Sequence, residues 1–344
     1  NGPVRSDRFD ITAASEVMAI LALSKDYVDL RKRLGSIVVA GNSEGGPVTA
    51  EDLGAGGAMA LLLRDAFLPN LVQTIEGNPA FIHCGPFANI AHGNSSIVAD
   101  SIALSTCDYV VTEAGFGADM GAEKALQIKA GASGVVPDCI VLNVTVRSMK
   151  LHGGAFGMKG SKRPTEDQLV SENVEAVSRG SATNLDRHIT NLANTGLPVI
   201  VSINRFHSDT DAELKAITDS AIASGATEVV LFEGHAKGGE GAVDLARAVV
   251  SNSEIHISRG RPYRPFLTEG DDARARISKI GTELYGAGSV SMSDGAIKAL
   301  KMIEEWGFGN LPVCMAKTQY SFSHRADLLG SPHGFELPVR EIRL

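Results

Sequence analysis

The sequence predicts an α/β protein organised on a doubly wound, mostly parallel β-sheet. Three observations lead there. Short apolar runs recur at 80–82, 109–111, 139–144, 198–203 and 228–232 without the clean alternation of a half-exposed strand, as expected for strands covered on both faces. Helical stretches at 121–130, 165–195, 210–224 and 240–250 separate several of these runs, and strand–helix–strand repetition is the pattern of a parallel sheet. Composition agrees: 37 glycines, 44% hydrophobic residues and 5% aromatics describe a loop-rich α/β protein better than a disulfide scaffold or a coiled coil.

In chain order, residues 12–34 read as helix, with Ser15 as N-cap and Val17, Ile20, Leu21 and Leu23 on an apolar face. Residues 36–40 read as a short buried strand closed by a Gly/Asn/Ser turn. Thr49 is placed to cap a second helix, with Glu51 and Asp52 in its first turn, where the dipole favours them, and 55–66 continuing it. The texture changes near 251: a Pro/Arg-rich connector at 258–265 precedes helices at 271–285 and 293–306. The 344 residues can pack about two or three domains, divided here as 1–105, 106–255 and a smaller α/β domain at 256–344. Asn1-Gly2-Pro3 has no initiator Met and the last residues, 340–344, read as a strand, so a piece of a longer chain is expected.

The formal net charge is −8 with no long basic run, which argues against a nucleic-acid partner. Cys84, Cys107, Cys139 and Cys314 lie far apart without a CxxC pair, fitting neither a zinc site nor a disulfide framework; reduced core thiols in a cytoplasmic protein are expected, and no metal cage. No apolar run reaches membrane-spanning length, and no basic-then-apolar leader pattern occurs.

Ligands of open parallel sheets bind beyond the carboxyl ends of the strands, so the strand-exit loops are the candidate sites. After 80–82 the loop 83–96 is dense in Gly, Asn, Ser and His. Ser95, Ser96 and the free N–H groups of the following helix suit an anion, and His92 could donate to a phosphoryl or formyl oxygen; the alternative is a tight turn with an internally bonded His. After 109–111, Glu113 and Asp119 flank a Gly-rich loop containing Phe116 and Gly117, in the manner of a carboxylate that orients Mg²⁺ or its waters, or simply of a capped helix start. After 139–146, Arg147, Lys150 and His152 place cationic donors before Gly153-Gly154, suited to phosphate or carboxylate or to a solvated surface. After 198–203, Phe206 is placed to stack on a flat ligand, or to pack locally beside an Asp209 or Ser208 cap. Lys237-Gly238-Gly239 has the texture of a phosphate nest, but no G-x-x-x-x-G-K-[ST] spacing occurs in the sequence.

Together these loops, with Phe9-Asp10-Ile11-Thr12-Ala13-Ala14-Ser15-Glu16 and Asn310-Leu311-Pro312-Val313-Cys314-Met315-Ala316-Lys317-Thr318-Gln319-Tyr320-Ser321, resemble the middle and later parts of formate–tetrahydrofolate ligases in the family's order. The resemblance implies a P-loop-hydrolase type of sheet, with 1–105 continuing an upstream nucleotide-binding domain. It also implies a two-step ligation in which ATP phosphorylates formate and the N10 amine of tetrahydrofolate then attacks the formyl carbon. Mg²⁺, a monovalent cation (K⁺ or NH₄⁺) and a homotetramer belong to the same implication. By position, His92, Asn89 and Ser95 would lie near formyl phosphate. Phe206, His235 and Lys237 would serve folate, and Glu113, Phe116, Gly117 and Arg147 the nucleotide.

Two departures stand out. The family's P-loop lies upstream of the matched portion, so this stretch alone should hold ATP phosphates poorly. The family commonly carries Trp before Ala-Lys-Gly-Gly, where this sequence has His235, a smaller ring that stacks less area. These departures motivate a second reading, a non-catalytic folate-binding or assembly form. A GTPase-like switch built on Glu113 and the 204 loop is a third; it lacks the same P-loop and leaves the loop 83–96 unexplained.

Overall fold

The computed structural model describes residues 15–88, 91–156, 164–268 and 270–344. Two compact units emerge: residues 1–134 with 298–317 and 342–344, and residues 135–297 with 318–341.

In the first unit, helix α1 (Glu16–Leu23) is capped by Ser15, whose Oγ accepts from the Met18 N–H at 3.1 Å. The helix expected over 12–34 breaks after Leu23. Ser24 Oγ donates to the Ile20 carbonyl at 2.7 Å, and Asp26 accepts from the Asp29 N–H at 2.8 Å to start α2 (Tyr27–Gly35). Such side-chain bonds compete with helix continuation. Leu21, Leu30, Leu34, Ala60 and Phe67 form the core beneath.

Strands β1 (Val38–Gly41) and β2 (Pro47–Thr49) pair antiparallel. The helix expected to start at Thr49 begins later, as α3 (Gly56–Leu62), because Asp52 Oδ2 accepts from both Thr49 N (2.7 Å) and Oγ1 (2.8 Å) and closes a turn instead. Strands β3 (Asn70–Gln73) and β4 (Pro79–Ile82) form an antiparallel hairpin. Its turn is closed by Thr74 N donating to Asn78 O at 2.9 Å, with Gly77 at φ +84°. The run 80–82 is therefore a hairpin strand and not part of a parallel sheet. Residues 109–111 are irregular, with Val111 88% exposed. Helix α4 (Ile97–Thr106) follows the Ser-rich loop, and α5 (Gly121–Lys124) passes through one π-helical turn (Ala125–Lys129) into α6 (Ala130–Ser133).

The second unit holds the expected parallel sheet, with β5 (Ile140–Val144), β6 (Val199–Asn204) and β7 (Glu228–Phe232) side by side in chain order. The helices α7 (Val146–His152), α8 (Glu166–Val170), α9 (Val174–Gly180) and α10 (Asp186–Ala193) lie between β5 and β6 in sequence. Helix α11 (Asp211–Ala223) connects β6 to β7, and α12 (Gly234–Lys237) and α13 (Val243–Ser258) follow β7. On one face of β6, Val201 and Ile203 join Met149, Val177, Ile189, Leu214 and Ile217; on the other, Ile200 joins Val230 and Ala248 of α13. Both faces are covered, which explains why β6 reads as a continuous apolar run. Helices α7 and α9 approach so closely that a Cβ at Gly153 would sit 1.8 Å from the Ala176 carbonyl oxygen. Helix α14 (Ala273–Lys279) precedes β8 (Ser289–Met292), α15 (Asp294–Glu305) follows it, and β9 (Glu336–Val339) pairs parallel with β8. The strand expected at 340–344 therefore ends at Val339.

The protein is thus mixed α/β with parallel pairing. Among the described residues no helix is long and apolar enough to cross a membrane. All four cysteines are free; Cys84 and Cys139 are half-buried and pack against core clusters, as expected, whereas Cys107 and Cys314 are exposed.

Candidate functional site

The loop 83–96 of the first unit is built around a buried histidine. His83 Nε2 lies 2.8 Å from the Ala66 carbonyl, so this nitrogen carries the proton; Nδ1 lies 2.6 Å from Ser96 Oγ. Ser96 in turn accepts from the Ala99 N–H at 3.0 Å and caps α4. Its cap position is filled by its own hydroxyl, and Ser95 Oγ donates to the His83 carbonyl at 3.3 Å. An isolated antiparallel bridge, Asn94 to Ala114, brings this loop against the Gly-rich loop that follows residue 111. The two press together without room for side chains: a Cβ at Gly115 would lie 2.3 Å from Ala88 Cβ, and one at Gly121 1.7 Å from the Gly115 carbonyl oxygen.

His92 is 3% exposed, and neither ring nitrogen has a hydrogen-bond partner among the described residues; both amide atoms of the equally buried Asn94 are in the same condition. Burial pushes the His92 pKa down to about 4. The charges of Lys129 and Lys124 push the same way, opposed by the Ala19 backbone, which stands outside hydrogen-bonding geometry. The folded ring is therefore neutral at physiological pH. Unsatisfied buried polar groups cost about 1–3 kcal/mol each and concentrate where a fold serves function.

Around this loop lie buried charges. Lys129 pairs with Asp100 and Lys317 with Asp119, both at 2.6 Å. Lys124, fully buried, donates to the carbonyl of Ala88 within the loop. Burial raises the Glu123 pKa to about 8, with Asp119 adding to the shift and Lys124 and Gln127 opposing it. Asp119 is thus an ion-pair partner and not a helix cap or a free metal-orienting carboxylate. Glu113 is exposed, Phe116 is 73% exposed, and Gly117 sits at φ +82°. Among the described residues no cluster of three or more His, Cys, Asp or Glu side chains could hold a metal ion. Asn89 lies outside the described residues.

In the second unit, Thr145 and Ser148 form a capping box at the start of α7, and this helix lays Arg147 over Phe206, with the guanidinium carbon 4.2 Å from the ring centre. Phe206 N donates to Asp209 Oδ2 at 2.8 Å, which fixes the strand-exit turn. The other members of the basic loop are engaged inside the fold. Lys150 Nζ donates to the carbonyls of Leu169 (3.2 Å) and Ser171 (2.9 Å) and pairs with Glu213 at 2.9 Å, while His152 Nδ1 accepts from Gly330 N at 3.2 Å. They form no solvated basic surface. Lys237 pairs with Glu233 at 2.5 Å, and Glu233 also faces Arg205, beside Phe206, at 3.7 Å. His235, on the same short helix α12, is exposed.

The structure therefore joins Phe206 to Arg147, the latter expected at the nucleotide, and reaches Lys237 through Glu233 and Arg205. It keeps His92 and Ser95 on one loop, backed by the Gly-rich segment. Sequence reading missed Lys124, Lys129 and Asp100. The one signal for the lysines was charge inside the Ala-rich stretch 121–133, which a solvated helix face imitates.

Comparison with known proteins identifies the family. The model of the family described as formate–tetrahydrofolate ligase matches residues 1–344. A protein of that name from Roseiflexus sp. (strain RS-1) is 49% identical over 344 residues, covering 100% of this chain and 60% of the relative. One from Paracoccus denitrificans (strain Pd 1222) is 50% identical, covering 100% and 59%. One from Spinacia oleracea is 48% identical over 345 residues, covering 99% and 53%. The chain thus spans between 53% and 60% of the length of these relatives. With its whole length matched by the family model, the chain belongs to the formate–tetrahydrofolate ligase family.

Proposed function

We propose that this chain carries the formyl and folate side of an enzyme that joins formate to tetrahydrofolate with ATP, giving 10-formyltetrahydrofolate through formyl phosphate. The family match over all 344 residues carries the reading. In the first step a formate oxygen attacks the terminal phosphorus of ATP and ADP leaves. In the second the N10 amine attacks the formyl carbon, the carbon–oxygen bond to phosphate breaks, and N10 gives up its proton.

The residues divide the work by their chemistry. His92, neutral through burial, can donate at one nitrogen and accept at the other. With Ser95 and Asn89 it would orient the acyl phosphate and stabilise charge developing on the formyl oxygen. The buried lysines Lys124 and Lys129, whose charge His92 feels, favour an anionic guest there. Phe206 offers a flat face for the pterin, His235 a second and smaller wall, and Lys237 a cation for folate carboxylate. Glu113, Phe116 and Gly117 of the first unit are assigned to the nucleotide, while Arg147 covers the Phe206 ring within the second unit. Mg²⁺ binds through few carboxylates and keeps several waters, so it would enter with the phosphates; a monovalent cation (K⁺ or NH₄⁺), a homotetramer and a cytoplasmic setting complete the proposal.

The test is product formation by the purified protein with its complete reading frame. Turnover must require ATP, formate and tetrahydrofolate together, and oxygen-labelled formate must deliver label to inorganic phosphate. Tetrahydrofolate binding without turnover would instead identify the non-catalytic folate-binding or assembly form.

A further inference from the structure

The loop that carries Phe206 is anchored at its far end by buried charge that never touches the ring. Glu213 is fully buried and sits in the first turn of α11. One carboxylate oxygen accepts from the Thr210 N–H at 3.2 Å, completing a capping box with Thr210 Oγ1, and the other accepts from the Asn173 N–H at 2.8 Å. Lys150 meets that second oxygen at 2.9 Å, and its remaining donors go to the Leu169 and Ser171 carbonyls. Lys150 lies on α7, the helix that lays Arg147 over the Phe206 ring at 4.2 Å. A single rigid helix thus fixes both the cover of the ring and the base of its loop. At the near end, Asp209, 6% exposed, holds Phe206 N at 2.8 Å.

A fully buried Lys–Glu pair is an inefficient way to gain stability, since an apolar pair of the same volume often does as well. What it supplies is directionality: one nitrogen with three partners ties α7, the end of α8 and the start of α11 in one arrangement. We infer that Lys150 and Glu213 are positioning residues that hold the Phe206 ring and Arg147 in register to stack on the flat ring of the bound substrate. This rests on the reading of Phe206 as the folate platform.

The experiment compares the complete protein with Lys150→Met, Glu213→Gln and the double variant. Two readouts are used: the KM values for tetrahydrofolate, ATP and formate, and amide hydrogen exchange across 205–210. Lys150→Met is expected to raise the KM for tetrahydrofolate about tenfold or more, since small misplacements of a positioning group cost up to about a hundredfold, and to speed exchange at 205–210. The KM values for ATP and formate should stay within about twofold. The double variant, which removes both charges but leaves Gln with one acceptor oxygen for the Asn173 and Thr210 N–H groups, is expected to recover part of the loss. An unchanged KM for tetrahydrofolate in the folded Lys150→Met protein, or an equal rise in all three KM values, would overturn the inference. If Lys150→Met does not fold, Glu213→Gln and the double variant decide by the same readouts. A wild-type protein that binds no tetrahydrofolate would defeat the ligase reading; the exchange comparison would then still decide whether the pair holds the loop.

Discussion

Replacing Glu123 by Gln tests the electrostatics of the first unit most directly. Glu123 is 1% exposed; Oε1 accepts from Gln127 Nε2 at 2.9 Å and Oε2 has no partner among the described residues. Burial lifts its pKa from the ordinary 4.5 to about 8. Between these two values the folded chain keeps a proton that the unfolded chain has released. The favourable contribution is therefore fully present below pH 4.5 and is lost as pH rises through about 8. At about 1.4 kcal/mol per pKa unit, the span amounts to at most about 5 kcal/mol. Gln preserves shape and the bond to Gln127 but does not titrate. The variant should therefore gain on the wild type steadily from pH 5 to 8.5 (about 1 M or more in urea midpoint, given typical slopes of roughly 1–3 kcal/mol per M). Trp306, the single tryptophan of the sequence, belongs to the same unit and donates to the Gly45 carbonyl at 2.6 Å, so its fluorescence follows the relevant unfolding. Parallel stability curves for the two proteins across that pH range would refute the buried, proton-holding carboxyl.

His92 shows the opposite sign. Its pKa is pushed down to about 4, so its contribution is present above 6.5 and lost as pH falls towards 4, worth about 3 kcal/mol. The difference between wild type and His92→Gln in urea unfolding should shrink over that interval. Gly153→Ala places a Cβ 1.8 Å from a backbone oxygen and should destabilise the second unit by roughly 2–4 kcal/mol, read as a lowered melting temperature. His235→Trp enlarges the proposed second wall of the folate site and should tighten tetrahydrofolate binding several-fold, about 1 kcal/mol of added stacking, in equilibrium titration; weaker binding would remove His235 from that wall.

Much of the second unit is legible in the sequence. The runs 139–144, 198–203 and 228–232 form β5, β6 and β7; β6 is apolar throughout because both its faces are covered, whereas Val141 of β5 and Leu231 of β7 are exposed. The helix expected over 210–224 is α11, but its cap is Thr210 and not Asp209 or Ser208. The run 80–82 misleads: its apolarity is equally that of a hairpin strand, and pairing partner and direction are set by a neighbour that local composition does not identify. The break after Leu23 is hidden because Ser24 and Asp26 stop a helix only when their side chains turn back on the backbone, and the 12–34 apolar pattern masks it.

For the candidate site, the sequence by itself determined the family, through long strings in the right order, and it marked His92, Ser95, Phe206 and Lys237 as residues with suitable chemistry. Only the tertiary structure decided their surroundings. Whether Lys150 faces water or a buried carboxylate, whether Arg147 lies free or over Phe206, and whether His92 is solvated or sealed among lysines all depend on residues distant in the chain. Charge state and availability follow from burial and partners, which are three-dimensional quantities. Motif chemistry is written locally, and the environment that tunes it is not.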